Sequence, residues 1–413
     1  MQSAGRFTGI IGIILILGIA FLCSNNRRRI NLRLVCSGLA LQLGIALLVL
    51  KVPAVNNFFQ LLGKGMQKLE GFAKEGAGFV YGGIGTYDHS GQLVNYAAAP
   101  VFVFAFNITA TIILVCILVA ILYHLHVMQF IVSVIARAMN FVMRVSGAEA
   151  LSNVASAFVG QVEAQVMIRA YLPTMTKSEL LASMSGSLAC IAGGILIVYA
   201  NMGARPDYLI AASLMAAPGA LVISKIVFPE TEISPTMGTV KLDVKSQYTN
   251  LIDAITHGAA DGFKIAMNVI AMLIGFIALI AMVNWMLGHI YHGLSLDMIF
   301  GKLFYPVAWA MGVPETDIHN AAALLGQKLT VNEFVAFKNL TTQSVPIVTP
   351  RGLTIITVAI CGFANFSSVG MQIGGIGALV PERRADLAKL GLKALLCGTL
   401  ASYLSATIAG MLV

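Results

Sequence analysis

Runs of about 20 predominantly apolar residues recur along this chain, at 5–23, 34–50, 98–123, 180–201, 207–228, 265–287 and 391–413. A run of that length carries an α-helix across the hydrocarbon core of a bilayer, where only internally hydrogen-bonded backbone is tolerated. The expected fold is therefore an all-α polytopic membrane protein. Composition agrees: of 413 residues, 58% are apolar and 11% charged, against roughly 25% charged in soluble domains. Residues 7–23 are followed by Asn25-Asn26-Arg27-Arg28-Arg29 rather than by a small-residue cleavage site, so they read as a retained first helix.

The net charge of +8 forms no solvated patch, which argues against nucleic acid as a partner. The basic residues sit in short connectors, Arg27 to Arg33 and Arg383-Arg384 with Lys389. Cytoplasmic connectors collect such residues. Both clusters then lie inside, which puts both termini outside and requires an even number of crossings. Residues 55–80 alternate Lys64, Lys68 and Lys74 with Phe58, Leu61, Leu62, Leu69 and Phe72, the pattern of an amphipathic helix in the membrane interface. The polar connector 229–249, with Glu230, Glu232, Lys241, Asp243 and Lys245, is a natural divide. Three parts follow: 1–95 as scaffold, 96–249 as a first half and 250–413 as a second. The six cysteines lie in apolar segments without CxxC spacing and read as small hydrophobic residues.

Two apolar stretches are broken by polar residues. In 148–172 the break is Gly160-Gln161-Val162-Glu163, and in 352–380 it runs from Cys361 to Ser368, with Gly370, Gly374, Gly375 and Gly377 after it. Interrupted segments in both halves of a carrier point to its binding site. Residues 314–330 are less apolar, and a further helix is expected at about 331–348, carrying Glu333. No linear repeat is conspicuous.

Ionised groups are costly at membrane depth, so an embedded acid is a functional candidate. Glu163 and Glu333 qualify, each beside an amide (Gln161, Asn332). With Asn365 and Ser368 they form a set rich in hydrogen-bonding groups and without the fixed positive charge that phosphate or carboxylate needs. Such a set suits a neutral polyhydroxylated solute with polar edges, such as a nucleoside, with Phe363 or Phe366 covering a flat ring. The glycine run Gly82-Gly83-Ile84-Gly85 reads as a loop, and His124/His126 and His289/His292 read as helix-end residues. No nucleophile elbow or HExxH motif occurs, so an enzyme is not expected.

At these residues the chain resembles the concentrative nucleoside transporter family. The resemblance rests on GQVEAQVMIRAYL (160–172), ACIAGGILIVYANMG (189–203), LMAAPGALVISKIVFPETE (214–232), WAMGVPETD (309–317), NEFVAF (332–337) and CGFANFSSVGMQIGGIGALVP (361–381). It implies a homotrimer in the bacterial inner membrane. Each protomer would have eight transmembrane helices, an interfacial helix and two re-entrant helical hairpins, at 148–172 and 352–380. It also implies that Gln161 and Glu163, with Ile195 as apolar wall, hold the base of a nucleoside, and that Glu333, Asn365 and Ser368, with Phe363 alongside, hold the ribose. Val162 departs from the Thr or Ser often found there, and Gln165 from a common Pro. The cation positions implied by sodium-driven relatives are Ser156, Val159, Cys190 and Ile191. A thiol is a poor ligand for a hard cation, and Ser156 is shorter than the usual amide. Nucleoside symport coupled to H+ is therefore expected, with Na+ coupling, or a carrier for another neutral solute such as a free nucleobase or sugar, as the alternative, and no cofactor.

Overall fold

A computed structural model describes residues 2–81, 104–237 and 248–413. The glycine run 82–85, the first residues of the run at 98–123, the 95/96 divide and Lys241, Asp243 and Lys245 lie outside that set. Apart from one isolated bridge between Ser146 and Met237, the described secondary structure is helical. Among the described residues, Leu32–Lys51, Lys177–Asn201, Pro206–Val227 and Pro381–Leu412 are each long and apolar enough to cross a membrane.

The N-terminal part is built of α1 (Gln2–Leu22), α2 (Leu32–Lys51), α3 (Pro53–Tyr81), α4 (Phe104–His124) and α5 (Val127–Met143). Helix α3 covers the span expected to be interfacial. It exposes Phe58, Leu61, Phe72 and Phe79, as an interfacial helix presents apolar side chains; the side chains of Leu62, Lys64 and Lys74 are outside the described ones. Helices α4 and α5 meet at a 75° bend, where His126 takes the left-handed conformation (φ 60°).

The remainder repeats one architecture twice. The first copy is α6 (Gly147–Ser156), α7 (Glu163–Met167), α8 (Lys177–Ala189), α9 (Gly193–Asn201) and α10 (Pro206–Val227). After α11 (Leu251–Ile290), α12 (Leu296–Leu303) and α13 (Tyr305–Ala310) comes the second: α14 (Ile318–Thr330), α15 (Glu333–Thr341), α16 (Pro350–Ile360), α17 (Phe366–Leu379) and α18 (Arg384–Leu412). Each copy is a helical hairpin, a broken helix and an unbroken one. Local chemistry sets the starts. Capping boxes, in which a hydroxyl and a glutamate satisfy each other's free N–H groups, open α6 (Ser146, Glu149) and α8 (Thr176, Glu179). The side chains of Asn332, Thr349 and Asn365 cap α15, α16 and α17.

In the first hairpin Gln165 of one arm donates to Ser152 of the other (3.1 Å). In the second, Asn339 donates to Gln327 (2.9 Å) and Asn320 to the Pro346 carbonyl (2.8 Å), while Asp317 accepts from the Val348 and Thr349 amides (3.0 Å each). These pairs are nested about the turn at Val331–Asn332, so residues 318–341 fold back on themselves. Residues 352–380, expected to be that hairpin, do not. Ile355 of α16 packs at Gly410 and Val369 of α17 at Gly391, so the two helices pass α18 in succession as one broken rod. A polar, glycine-rich break looks the same in sequence whether the chain reverses or continues; the cross-arm bonds decide. The expected continuous helix 180–201 is likewise two helices, α8 and α9, with the Gly193 amide donating to Phe158 of the hairpin-one turn (3.1 Å).

The copies run in opposite directions. Lys177 lies 3.9 Å from Asp386 and Leu188 sits against Gly398, so α8 is parallel to α18. Ile355 against Gly410 makes α16 antiparallel to it. The two breaks meet: the Phe363 amide donates to the Cys190 carbonyl (3.2 Å), and Gly362 (φ 139°) abuts the Ala189 backbone. Helix α1 is antiparallel to α18, with Gly9 at Met411 and Asn25 accepting from Lys393 (2.8 Å). The termini thus share one end of the molecule and the two basic clusters the other.

Candidate functional site

A cavity of about 400 Å³ opens where both hairpin turns and both helix breaks converge. Gln161, Glu163, Ile195, Glu333, Phe363, Asn365 and Ser368, the residues singled out from sequence, all line it.

Its second-half wall is pre-arranged. Glu333 is the first residue of α15, held there by the Asn332 cap. One carboxylate oxygen accepts from the Tyr199 hydroxyl (3.2 Å) and the other from the Asn365 side-chain amide (2.8 Å). Asn365 has little freedom, because its own oxygen caps α17, accepting from the Ser368 amide and the Ser367 hydroxyl (2.8 Å each). Each Glu333 oxygen therefore keeps accepting capacity for a ligand. The Tyr199 ring is fixed by stacking on Phe337 (centroids 4.3 Å apart).

The first-half wall is looser. Glu163 is likewise the first residue of its arm, α7, and its carboxylate folds over Gly160, where a Cβ would collide with it. Among the described residues, Gln161 reaches only the Met371 sulfur (3.9 Å), and its buried amide oxygen has no partner. Val162 packs on Gly375 rather than presenting a polar group. Helices α4 and α11 close the side with Cys116, Tyr123 and Asp261. Among the described residues, the lining contains three carboxylates and no lysine, arginine or histidine. It accepts hydrogen bonds from a neutral solute and offers no cation to an anionic one.

The candidate cation positions gather between the hairpin-one turn and the end of α8. Only Val159 among them lines the cavity. Ser156 donates to the Ser152 carbonyl (2.8 Å) and lies 2.8 Å from the Ser187 hydroxyl. The Cys190 thiol points to the Ser213 carbonyl (3.7 Å) of α10. Gln165 completes a buried polar lattice, donating to Ser187 (2.8 Å) and accepting from Ser183 (2.6 Å). Sequence reasoning noted Gln165 only as a departure from a family pattern and missed Tyr199 and Asp261, which line the cavity. Tyr199 follows Ile195 by four residues, one helical turn, and that spacing was the available signal.

Family models match along almost the whole length: "Na+ dependent nucleoside transporter" N-terminus over 11–84 and C-terminus over 208–410, and a "Nucleoside recognition" gate over 105–206. Nucleoside permease NupC of Helicobacter pylori is 36% identical over 98% of this chain and 97% of its own. The chain belongs to the concentrative nucleoside transporter family. An uncharacterised transporter of Haemophilus influenzae is 39% identical over 98% of this chain and 97% of that one. The solved structure of the concentrative nucleoside transporter CNTnw, inward-facing and substrate-bound, superposes with a TM-score of 0.91 at 37% identity, covering 99% of this chain and 98% of that one. This membrane protein is thus a nucleoside transporter and not an enzyme.

Proposed function

We propose that the chain takes up nucleosides by proton symport across the bacterial inner membrane, as a homotrimer. Eight crossings per protomer (α1, α2, α4, α8–α9, α10, α11, α16–α17 and α18), two hairpins and the interfacial α3 make up this reading. Both termini face outside, in keeping with the shared pole of the two basic clusters. The base lies against Gln161, Glu163 and Ile195. The ribose hydroxyls donate to Glu333 and bond Asn365 and Ser368, with Phe363 beside the sugar. The observation that carries the substrate reading is the Glu333–Asn365–Tyr199 constellation, which leaves a fixed acceptor facing the cavity.

Proton coupling is supported by the state of the cation positions. The Ser156 hydroxyl is committed to Ser152 and Ser187, and Cys190 offers a thiol turned toward α10. An oxygen-seeking cation finds chiefly backbone carbonyls there, whereas an embedded carboxylate, Glu163 or Glu333, accepts a proton without a cage. The family models' own description favours sodium. Uptake into proteoliposomes under an imposed pH gradient, with choline replacing sodium, separates the two. Accumulation of uridine or adenosine driven by the pH gradient is the expected result. Accumulation that requires sodium and ignores the pH gradient reverses it.

A further inference from the structure

Lys225 and Lys328 are the buried lysines among the described residues, and they differ in kind. Lys225 pairs with the carboxylates of Glu149 and Glu230. Lys328, wholly inaccessible, donates to the Ala359 carbonyl (3.0 Å) and lies over the Tyr403 ring (5.7 Å). Ala359 belongs to the last turn of α16, whose final carbonyls lose their helical donors at the Cys361 break and form the negative end of a half-helix.

The inverted repeat gives this contact a counterpart. In the first half Ser156, at the end of the first hairpin arm, meets Ser187 in the last turn of α8. In the second half Lys328, in the last turn of the first arm, meets Ala359 in the last turn of α16. Both pairs are 31 residues apart and both sit just before a helix break. The first-half pair borders the candidate cation positions Ser156, Val159, Cys190 and Ile191. By the repeat, the Lys328 ammonium stands at the corresponding place in the second half.

Glu333 supplies the matching charge. Its carboxylate is buried, and its side-chain partners, Tyr199 and Asn365, are neutral. Lys328 is five residues back, in the last turn of the arm that Glu333 follows, so the two buried groups flank one hairpin turn. A buried charge without a counter-charge is strongly unfavourable.

We propose that Lys328 is a tethered cation of hairpin two, standing at the second half's counterpart of the ion position and balancing the Glu333 carboxylate whenever that group faces the sugar ionised. Lys328 is on this view a positioning residue, and only the last clause rests on the reading of Glu333 as the ribose acceptor.

The test is a double-mutant cycle on the full-length protein in detergent, with thermal unfolding and uridine calorimetry on Lys328→Met, Glu333→Gln, the double variant and Lys328→Arg. Each neutralising change alone strands one buried charge and lowers the unfolding midpoint. The double variant recovers at least half of the Lys328→Met loss, because neither charge remains. Lys328→Arg keeps uridine affinity within about threefold, a shift of ~0.6 kcal/mol, whereas Lys328→Met loses tenfold or more. Additive losses in the double variant overturn the proposal, as does Lys328→Met with wild-type stability and affinity. If Lys328→Met alone does not yield folded protein, a folded double variant supports the pairing and an unfolded one overturns it. Glu333→Gln with undiminished uridine binding would instead sink the ribose reading and leave the charge pairing to be judged by stability.

Discussion

Hairpin one and hairpin two share a topology and place an acid at the same point, the first residue of the returning arm, yet they are held by different chemistry. Near its turn, hairpin one is fixed to α8 by hydroxyls and amides, Ser152, Ser156, Ser183, Ser187, Asn153 and Gln165; its one buried ion pair among the described residues, Glu149–Lys225, lies at the far end of the first arm and reaches α10. Hairpin two is fixed to α16 by an ammonium on a carbonyl and to α17 by a carboxylate on an amide. Neutral hydrogen bonds exchange partners at small net cost, while contacts of buried charges are expensive to break. Around the cavity the second half is therefore the preorganised wall, and the first is the one freer to adapt.

The sharpest way to break that contrast is to neutralise both acids separately. Glu333→Gln removes a charged acceptor already aimed by Tyr199 and Asn365. It should cost about 1.5–3 kcal/mol of nucleoside binding, or roughly one to two decades in Kd. Glu163→Gln, whose carboxylate is held less firmly, should cost less. Calorimetric titration with uridine measures both, and equal losses would erase the distinction between the walls.

Next in size is the crossing of the two breaks. Gly362 has φ 139° and abuts the Ala189 carbonyl; Gly203 has φ 104° with open space around it. Gly362→Ala should destabilise by about 1–3 kcal/mol from backbone strain, with a steric term added. Gly203→Ala carries the strain alone and should lose less. Thermal melts that rank the two equally would mean that the crossing is not tightly packed. Gln165→Ala should follow at about 1–2 kcal/mol, the cost of leaving buried hydroxyls short of a partner. Its signature is a lowered unfolding midpoint with nucleoside affinity retained.

Much of this was legible in sequence because membrane helices announce themselves by length and polarity. The polar residues named from sequence, Gln161, Glu163, Glu333, Asn365 and Ser368, all reach one cavity, since a polar group inside an apolar run has few other reasons to be there; Ile195 came only with the family resemblance. The second hairpin was misplaced for an equally physical cause. The run 352–380 carries the louder signal of glycines and a polar break, but reversal is decided by Gln327–Asn339 and Asn320–Pro346, pairs whose partners sit 12 and 26 residues apart. The inverted repeat was invisible because α6–α10 and α14–α18 share geometry and not residues. Serine and lysine occupy matching places, and no linear comparison equates them. Tyr199 was hidden by its own sequence, an apolar run in which a tyrosine reads as packing.

Tyr199 also gives the smallest expected effect. Its hydroxyl donates to Glu333, and deleting a donor from a charged pair ordinarily costs about 1.5–3 kcal/mol. Two features offset that here. The ring that stacks on Phe337 survives in Tyr199→Phe, so packing is retained, and the Asn365 bond still holds the carboxylate in place. The freed lone pair on Glu333 then becomes available to a ribose hydroxyl, which replaces an internal donor with one from the ligand. Nucleoside affinity should therefore change by no more than about threefold, or ~0.6 kcal/mol, while the unfolding midpoint of the ligand-free protein falls. A loss of tenfold or more with normal stability would show that the Tyr199 hydroxyl touches the sugar directly, and hairpin two's wall would then extend onto α9 of the opposite half.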